Sequence, residues 1–170
     1  MAVADASTII LLAKTKILQK FAANHNLKIP EKVYREAVER GIDKGKADAY
    51  RIQKLIHEED LITVQKTGEE EIQRIKDLFG ITGGEAAAIA QAREHDELVM
   101  VDDQKGIKAC KALEQPYTTA LDTVTRLNEL EELSQEEALK SLDRLEEFGW
   151  YKHHLVENRR NKIQKEVNNS

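Results

Sequence analysis

The sequence predicts an α/β fold: four to five short parallel strands covered by helices, followed by a purely helical C-terminal region. Three observations carry this. Leu98-Val99-Met100-Val101 is apolar on every residue, the pattern of a strand buried on both faces, as in a parallel sheet covered by helices. Strand patterns alternate with helical ones over the first two thirds of the chain, which indicates βαβ units with right-handed crossovers. Beyond Thr119 the strand patterns cease.

Ala2-Val3-Ala4 reads as a short strand ending at Asp5, and Ser7 to Ala23 as one helix whose apolar faces include Ile9, Leu12, Leu18 and Phe21. Leu27-Lys28-Ile29-Pro30 is a second strand, stopped by its proline. Helical patterns follow at Glu31–Arg40 and Asp43–Glu59, separated near Gly41, and Leu61–Val64 is a third strand. Gly68–Phe79 is a charged amphipathic helix broken by Gly80, and a small-residue helix runs from Gly84 to His95. After the 98–101 strand come a helix at Gln104–Leu113 and a possible fifth strand, Pro116-Tyr117-Thr118. The tail reads as three helices, Leu121–Leu133, Ser134–Phe148 and Tyr151–Val167, and Ser134 with Glu137 gives a capping-box signature.

A hydrophobic fraction of 41% is enough for a real core, and 31 acidic against 26 basic residues give a net charge of −5. That argues against a simple cationic nucleic-acid coater, but not against an enzyme that meets phosphate through a metal and a local basic patch. The single cysteine, Cys110, excludes an intramolecular disulfide framework and Cys-rich zinc modules; it is expected to pack inside its helix. Asp5 interrupts the apolar start, no basic segment precedes it, and no apolar run approaches the ~20 residues of a membrane span. The expected location is cytoplasmic.

The acids at the strand ends are the most informative residues. In an open α/β sheet, acids placed where strands stop sit at the carboxyl edge, where such folds keep their sites. Asp5 and the pair Asp102-Asp103 stand there, and an anionic pocket calls for a metal ion. Asp just before a helix is also a favoured cap, and one of Asp102 and Asp103 is expected to cap the helix starting near Gln104. Glu85 shares a helix face with Ala88, Ile89 and Ala92, where a carboxylate is costly unless paired or metal-bound; a first-turn glutamate also suits the positive end of the helix dipole. Glu36 lies beside the Val33, Ala37, Val38 stripe, and periodicity alone does not separate it from the solvated Glu31 and Glu39. His153 and His154 are adjacent, point to different helix faces, and read as surface. Trp150 reads as an anchor packing the tail onto the domain rather than a base-stacking platform. No Gly-rich phosphate loop and no Ser/His/Asp arrangement stands out.

Taken together, Val3-Ala4-Asp5-Ala6-Ser7-Thr8, Ile29-Pro30 through Tyr34-Arg35-Glu36, Gly84-Glu85-Ala86-Ala87-Ala88-Ile89-Ala90 and Val101-Asp102-Asp103 resemble the PIN domain family, specifically a VapC-like prokaryotic subgroup with a C-terminal helical extension. The resemblance covers most of residues 1–120 and implies a three-layer α/β/α domain with sheet order 3-2-1-4-5, the remaining residues 121–170 forming helices packed on or beside it. It implies that Asp5, Glu85 and Asp103, or Asp102 in place of Asp103, ligate Mg²⁺ or Mn²⁺ directly or through water, that Glu36 completes the catalytic acidic set, and that Ser7 orients Asp5 or a water. The activity implied is hydrolysis of RNA phosphodiesters, with Lys105, Lys108, Lys14, Lys16 and Lys20 as candidates for the RNA backbone. These lysines are equally readable as solvated helix faces. Where the family often has an arginine after its fourth motif, Lys108 is the nearest residue here.

The leading reading is a metal-dependent endoribonuclease, the toxin of a toxin–antitoxin pair, with an antitoxin protein and a second copy of the chain as partners. The alternatives are an RNA-processing nuclease, or a catalytically weak module acting through protein or RNA binding. A haloacid-dehalogenase-type phosphatase requires Asp-x-Asp after its first strand, and here Ser7 stands two residues after Asp5.

Overall fold

The computed structural model describes residues 1–168. Five strands form one parallel sheet: β1 (Ala2–Ala4), β2 (Leu27–Pro30), β3 (Ile62–Gln65), β4 (Leu98–Met100) and β5 (Tyr117–Thr118). Their order is β3-β2-β1-β4-β5, with Ala2 opposite both Leu27 and Leu98, and Ala4 opposite Met100. β1 is thus the centre of the sheet, and the chain reverses direction across it between β1 and β4.

Alternation along the strands builds two cores, because successive side chains in a strand point to opposite faces. Val3, Val99 and Val101 face the layer made by α6 (Glu69–Phe79), α7 (Gly83–Glu94) and α8 (Gln104–Ala112). Ala2, Ala4, Leu27, Ile29 and Met100 face the other layer. That layer holds α1 (Ala6–Lys14), α2 (Leu18–Asn24) and α5 (Ala47–His57), and α9 (Ala120–Glu129), α10 (Gln135–Phe148) and α11 (His153–Asn168) extend it. Leu127, Leu142, Leu145, Val156 and Ile163 of these last three helices join the same buried cluster as Ile9 and Leu12 of α1. Burying a large aliphatic side chain contributes ~1.5–3 kcal/mol, so the tail is part of the core on this face. The capping box at Ser134 and Glu137 forms as the sequence predicts, and no helix among the described residues is long and apolar enough to cross a membrane.

Two helix boundaries differ from the periodicity reading. The helix expected over Ser7–Ala23 is split: the Thr15 hydroxyl donates to the carbonyls of Leu11 and Leu12, and Lys16 takes a left-handed φ of 64°. A threonine that bonds its preceding turn competes with the helix, and the turn lets Ile17 and Leu18 both enter the core. The break expected near Gly41 lies further on. Helix continues from α3 (Glu31–Tyr34) through a π-helical turn (Arg35–Glu39) into α4 (Arg40–Asp43), and the chain turns at Lys44, Gly45 and Lys46. Gly41 is inside the helix because α5 crosses it there: a Cβ on Gly41 would stand 2.5 Å from the Ala49 Cβ.

Gly41→Ala is therefore expected to destabilise the fold by about 1–3 kcal/mol in chemical denaturation, as overpacking does, although alanine is the better helix former by ~1 kcal/mol. A neutral or stabilising substitution would contradict this crossing.

Candidate metal centre and cleft

The candidate site lies at the carboxyl ends of β1 and β4, where the sheet order brings the two predicted acidic segments together. Asp5 follows β1, and its backbone N–H still donates to the Met100 carbonyl at 3.1 Å, extending the ladder by one residue. Asp5 is fully buried and caps α1: its Oδ1 accepts from the Thr8 N–H at 2.8 Å and from the Ser7 hydroxyl at 3.3 Å. Its Oδ2 has no hydrogen-bond partner among the described residues. Burial is the main reason its carboxyl is pushed up to about 7; the Thr8 bonds oppose this, and Asp102 and Glu85 add to it.

Glu85, in the first turn of α7, is the second such group. The Thr82 side chain caps α7 by accepting from the Glu85 N–H at 3.2 Å, and Glu85 Oε2 is buried without a partner. Burial, then the charges of Asp103 and Glu36, raise it to about 7, against the opposing pull of Lys105. Glu36 arrives from the opposite side. It sits in the π-helical turn, a device common at functional sites, and its carboxylate lies over Gly84. A Cβ there would come within 2.6 Å of Glu36 Oε2, so only glycine leaves that seat free. Burial raises the Glu36 pKa; Arg40, the Gly84 N–H and Lys32 hold it partly down.

The adjacent acids have separate structural positions. Asp103 is exposed and caps α8, accepting from the Lys105 N–H at 2.8 Å. Asp102 is enclosed in a network: Thr8 Oγ1 donates to its Oδ2 at 2.6 Å, the Ala120 N–H reaches both oxygens at 3.1 and 3.2 Å, and the Tyr151 hydroxyl donates to Oδ1. Thr8 thereby bridges Asp102 and Asp5, and Tyr151 ties the helical tail to the end of β4. Trp150, read from the sequence as the tail's anchor, is fully exposed at 103%; its neighbour Tyr151 makes the inward contact instead. His153 and His154 are exposed, as expected.

A cleft of about 540 Å³ opens over Glu36 and Glu85. One side is the α1 face carrying Ser7, Ile10 and Lys14; the other carries Arg40, Lys44, Lys46 and Asp48. Of the predicted backbone-binding lysines, Lys14 lines this cleft and Lys105 lies near Glu85. Lys108 is exposed on α8 outside the lining. Lys16 forms the turn after α1, and Lys20 pairs with Glu137 of α10 at 2.7 Å, so these two do not reach the cleft. Periodicity did not single out Arg40, Lys44, Lys46 or Asp48; the density of Lys around Gly45 was the one trace. Cys110 is buried and its thiol pushed up to about 12, chiefly by burial, which leaves it a packing residue.

The donor set is all oxygen, which suits Mg²⁺ or Mn²⁺. Among the described residues no three His, Cys, Asp or Glu groups close into a cage. Mg²⁺ is usually held by one or two carboxylates and retains several waters, and the orphaned oxygens of Asp5 and Glu85 match that requirement. A third orphaned oxygen, Glu97 Oε2, shows the contrast: Glu97 precedes β4 at the other edge of the sheet and is paired with Lys28 at 2.6 Å. Among the described residues no such ion pair holds Asp5 or Glu85.

The raised values fix the sign of a pH dependence. Folded Asp5 and Glu85 hold protons that the unfolded chain releases, so their contribution to stability is complete below about 4 and is lost as pH rises through about 7. In EDTA the melting temperature should rise as pH is lowered from about 8 to about 6, and Asp5→Asn should remove about half of that slope, leaving the share of Glu85. A wild-type slope that is flat or of opposite sign would contradict the burial argument.

A family model described as PIN domain matches residues 1–166. No curated protein sequence matches the chain. Among solved structures, the crystal structure of PAE2754 from Pyrobaculum aerophilum is similar with a TM-score of 0.58 at 17% identity, over 74% of this chain and 93% of that one. At that identity the likeness shows the fold. With the sheet order, the strand-end acids and the family match in agreement, the chain belongs to the PIN domain family, whose members are generally nucleases that use divalent metals.

Proposed function

We propose that the chain is a Mg²⁺- or Mn²⁺-dependent endoribonuclease and the VapC-type toxin of a toxin–antitoxin pair. The observation that carries this reading is the pair of buried, unpartnered carboxylate oxygens on Asp5 and Glu85 beside a cleft rimmed by Lys14, Arg40, Lys44 and Lys46. Acids without cations at the centre, with cations at the rim, suit a phosphodiester brought in by its backbone charge.

In this reading Asp5, Glu85 and Asp103 hold the ion. When bound, it supplies Lewis acidity for the attacking water and the leaving oxygen. Asp103 is preferred over Asp102 because hydrogen bonds occupy both oxygens of Asp102. Asp102 is then a positioning residue, fixing Thr8 and through it Asp5. Ser7 orients Asp5 through the shared Oδ1, and Glu36, seated on Gly84, completes the negative field opposite Asp103. Arg40, Lys44 and Lys46 neutralise phosphates along the strand. An antitoxin protein and a second copy of the chain are the partners this reading carries, and the cytoplasm its location.

The test is cleavage of a mixed RNA pool by the purified protein with Mn²⁺, Mg²⁺ or EDTA. Metal-dependent cutting that falls more than ~100-fold in Asp5→Asn is expected, since even residues that only support a ligand cost 10–100-fold. Cutting unaffected by EDTA or by this substitution would overturn the site. An RNA-processing nuclease would use the same residues; growth arrest on expression, relieved by Asp5→Asn, separates the toxin from it.

A further inference from the structure

We propose that Tyr151 is a positioning residue of the acidic centre: its hydroxyl holds Asp102 as a brace for Asp5 and keeps that carboxylate off the metal ion. The inference rests on the nuclease reading and gives the helical tail a part in metal binding.

The acceptor positions of Asp102 are all occupied. An ionised carboxylate offers about four of them on its two oxygens. The Tyr151 hydroxyl and the Ala120 N–H take those of Oδ1, and the Thr8 hydroxyl and the same N–H take those of Oδ2. Removing the Tyr151 hydroxyl frees one position on the carboxylate next to Asp103, which this reading makes a ligand. A freed carboxylate oxygen beside a hard divalent cation is a competing donor. Thr8 is the second link. Its hydroxyl donates to Asp102, its N–H donates to Asp5 Oδ1 at 2.8 Å, and it is fully buried. The direction in which Asp102 is held therefore sets where Thr8 and Asp5 stand.

The tail is built to present this hydroxyl. The Tyr151 ring packs against the same buried cluster as Ile9 and Leu12 of α1. Gly149 makes room for it: a Cβ there would stand 2.7 Å from the Tyr151 ring and 2.7 Å from the Leu145 carbonyl oxygen. Its φ of −97° is open to any residue, so the glycine answers to the ring and not to the backbone. Arg160 of α11 bridges to Asp143 and Glu146 of α10 at 2.7 and 2.6 Å, fixing the helices on either side of the loop. Burial, then the charge of Asp102, push the Tyr151 pKa up, so the hydroxyl keeps its proton and donates. An anchor needs only the ring. This residue adds a hydroxyl aimed at a carboxylate of the acidic centre.

Tyr151→Phe keeps the ring and removes only the hydroxyl, and calorimetric titration of Mn²⁺ into the metal-free chain reads the consequence without turnover. Affinity for Mn²⁺ is expected to fall roughly 10-fold to 100-fold, as when a group that orients a metal ligand is removed. Thr8→Val should weaken binding similarly, and the double variant should be no weaker than the worse single one, because both cut one chain of contacts. Gly149→Ala retains the hydroxyl but displaces the ring, so it too should weaken binding. Trp150→Ala, in the same loop but fully exposed, should leave it unchanged. RNA cleavage by Tyr151→Phe should recover as Mn²⁺ is raised, which a general loss of structure would not allow. A lower melting temperature with wild-type Mn²⁺ affinity in Tyr151→Phe would make the residue an anchor and overturn the proposal while sparing the nuclease. Additive losses in the double variant, or equal weakening by Trp150→Ala, would also overturn it. If Tyr151→Phe does not fold, Gly149→Ala decides, and unchanged affinity there is the contradicting result. Failure of the wild-type chain to bind Mn²⁺ would remove the metal-dependent reading and this inference with it.

Discussion

The burial of Asp5 is the constraint on which the rest of the molecule depends. β1 is three residues long and fully buried, and it runs between β2 and β4 with Asp5 as its last ladder residue. That position excludes water from the carboxylate. One oxygen is used to cap α1; the other accepts from no group among the described residues. Leaving a buried polar atom unpaired costs ~1–3 kcal/mol, more for a charged one, and a fold selected for stability alone would place an asparagine or a cation there. Glu97 and Lys28, at the other end of the same sheet, show that this chain does supply a cation where a buried carboxylate has only a structural role.

Several features make sense as consequences of that constraint. Thr8 reaches from α1 to Asp102, and Asp102 is in turn gripped by Ala120 and Tyr151, so that the helix capped by Asp5 is pinned to the neighbouring strand end. Glu36 is brought toward Glu85 by a π-helical turn and a glycine seat at residue 84. The charge of Asp102 bears on Asp5, and that of Glu36 on Glu85. The cations are kept at the rim, where they attract a polyanion without neutralising the centre. The helical tail contributes both to the core of the α1 layer and, through Tyr151, to the order of the acidic centre.

The fold was legible from the sequence because its signals are local. An all-apolar strand stopped by acids, helices of the right period between strands, and a capping box are each decided within a few residues. The sheet order came from the resemblance, since periodicity does not say which strands are neighbours. The acids were legible for a related reason: residues at strand ends are exposed to a single geometric rule. What was hidden depends on contacts far apart in sequence. Tyr151 and Asp102 are separated by 49 positions and Thr8 and Asp102 by 94, so nothing local marks Tyr151 rather than Trp150 as the inward residue. Glu36 differs from Glu39 because of a π-helical turn, which a period of 3.6 does not anticipate, and the split after Lys14 turns on one threonine hydroxyl.

The most direct test of the central claim is calorimetric titration of Mn²⁺ into the metal-free chain, in buffers of different ionisation enthalpy. If Asp5 and Glu85 are the acceptors, and burial holds them near 7, binding below that pH must expel protons, as metal binding does when it requires deprotonated ligands. The account predicts proton release at about pH 6 that vanishes by about pH 8.5, together with loss of binding in Asp5→Asn. Binding without proton release at the lower pH, or binding that survives that substitution, would contradict it.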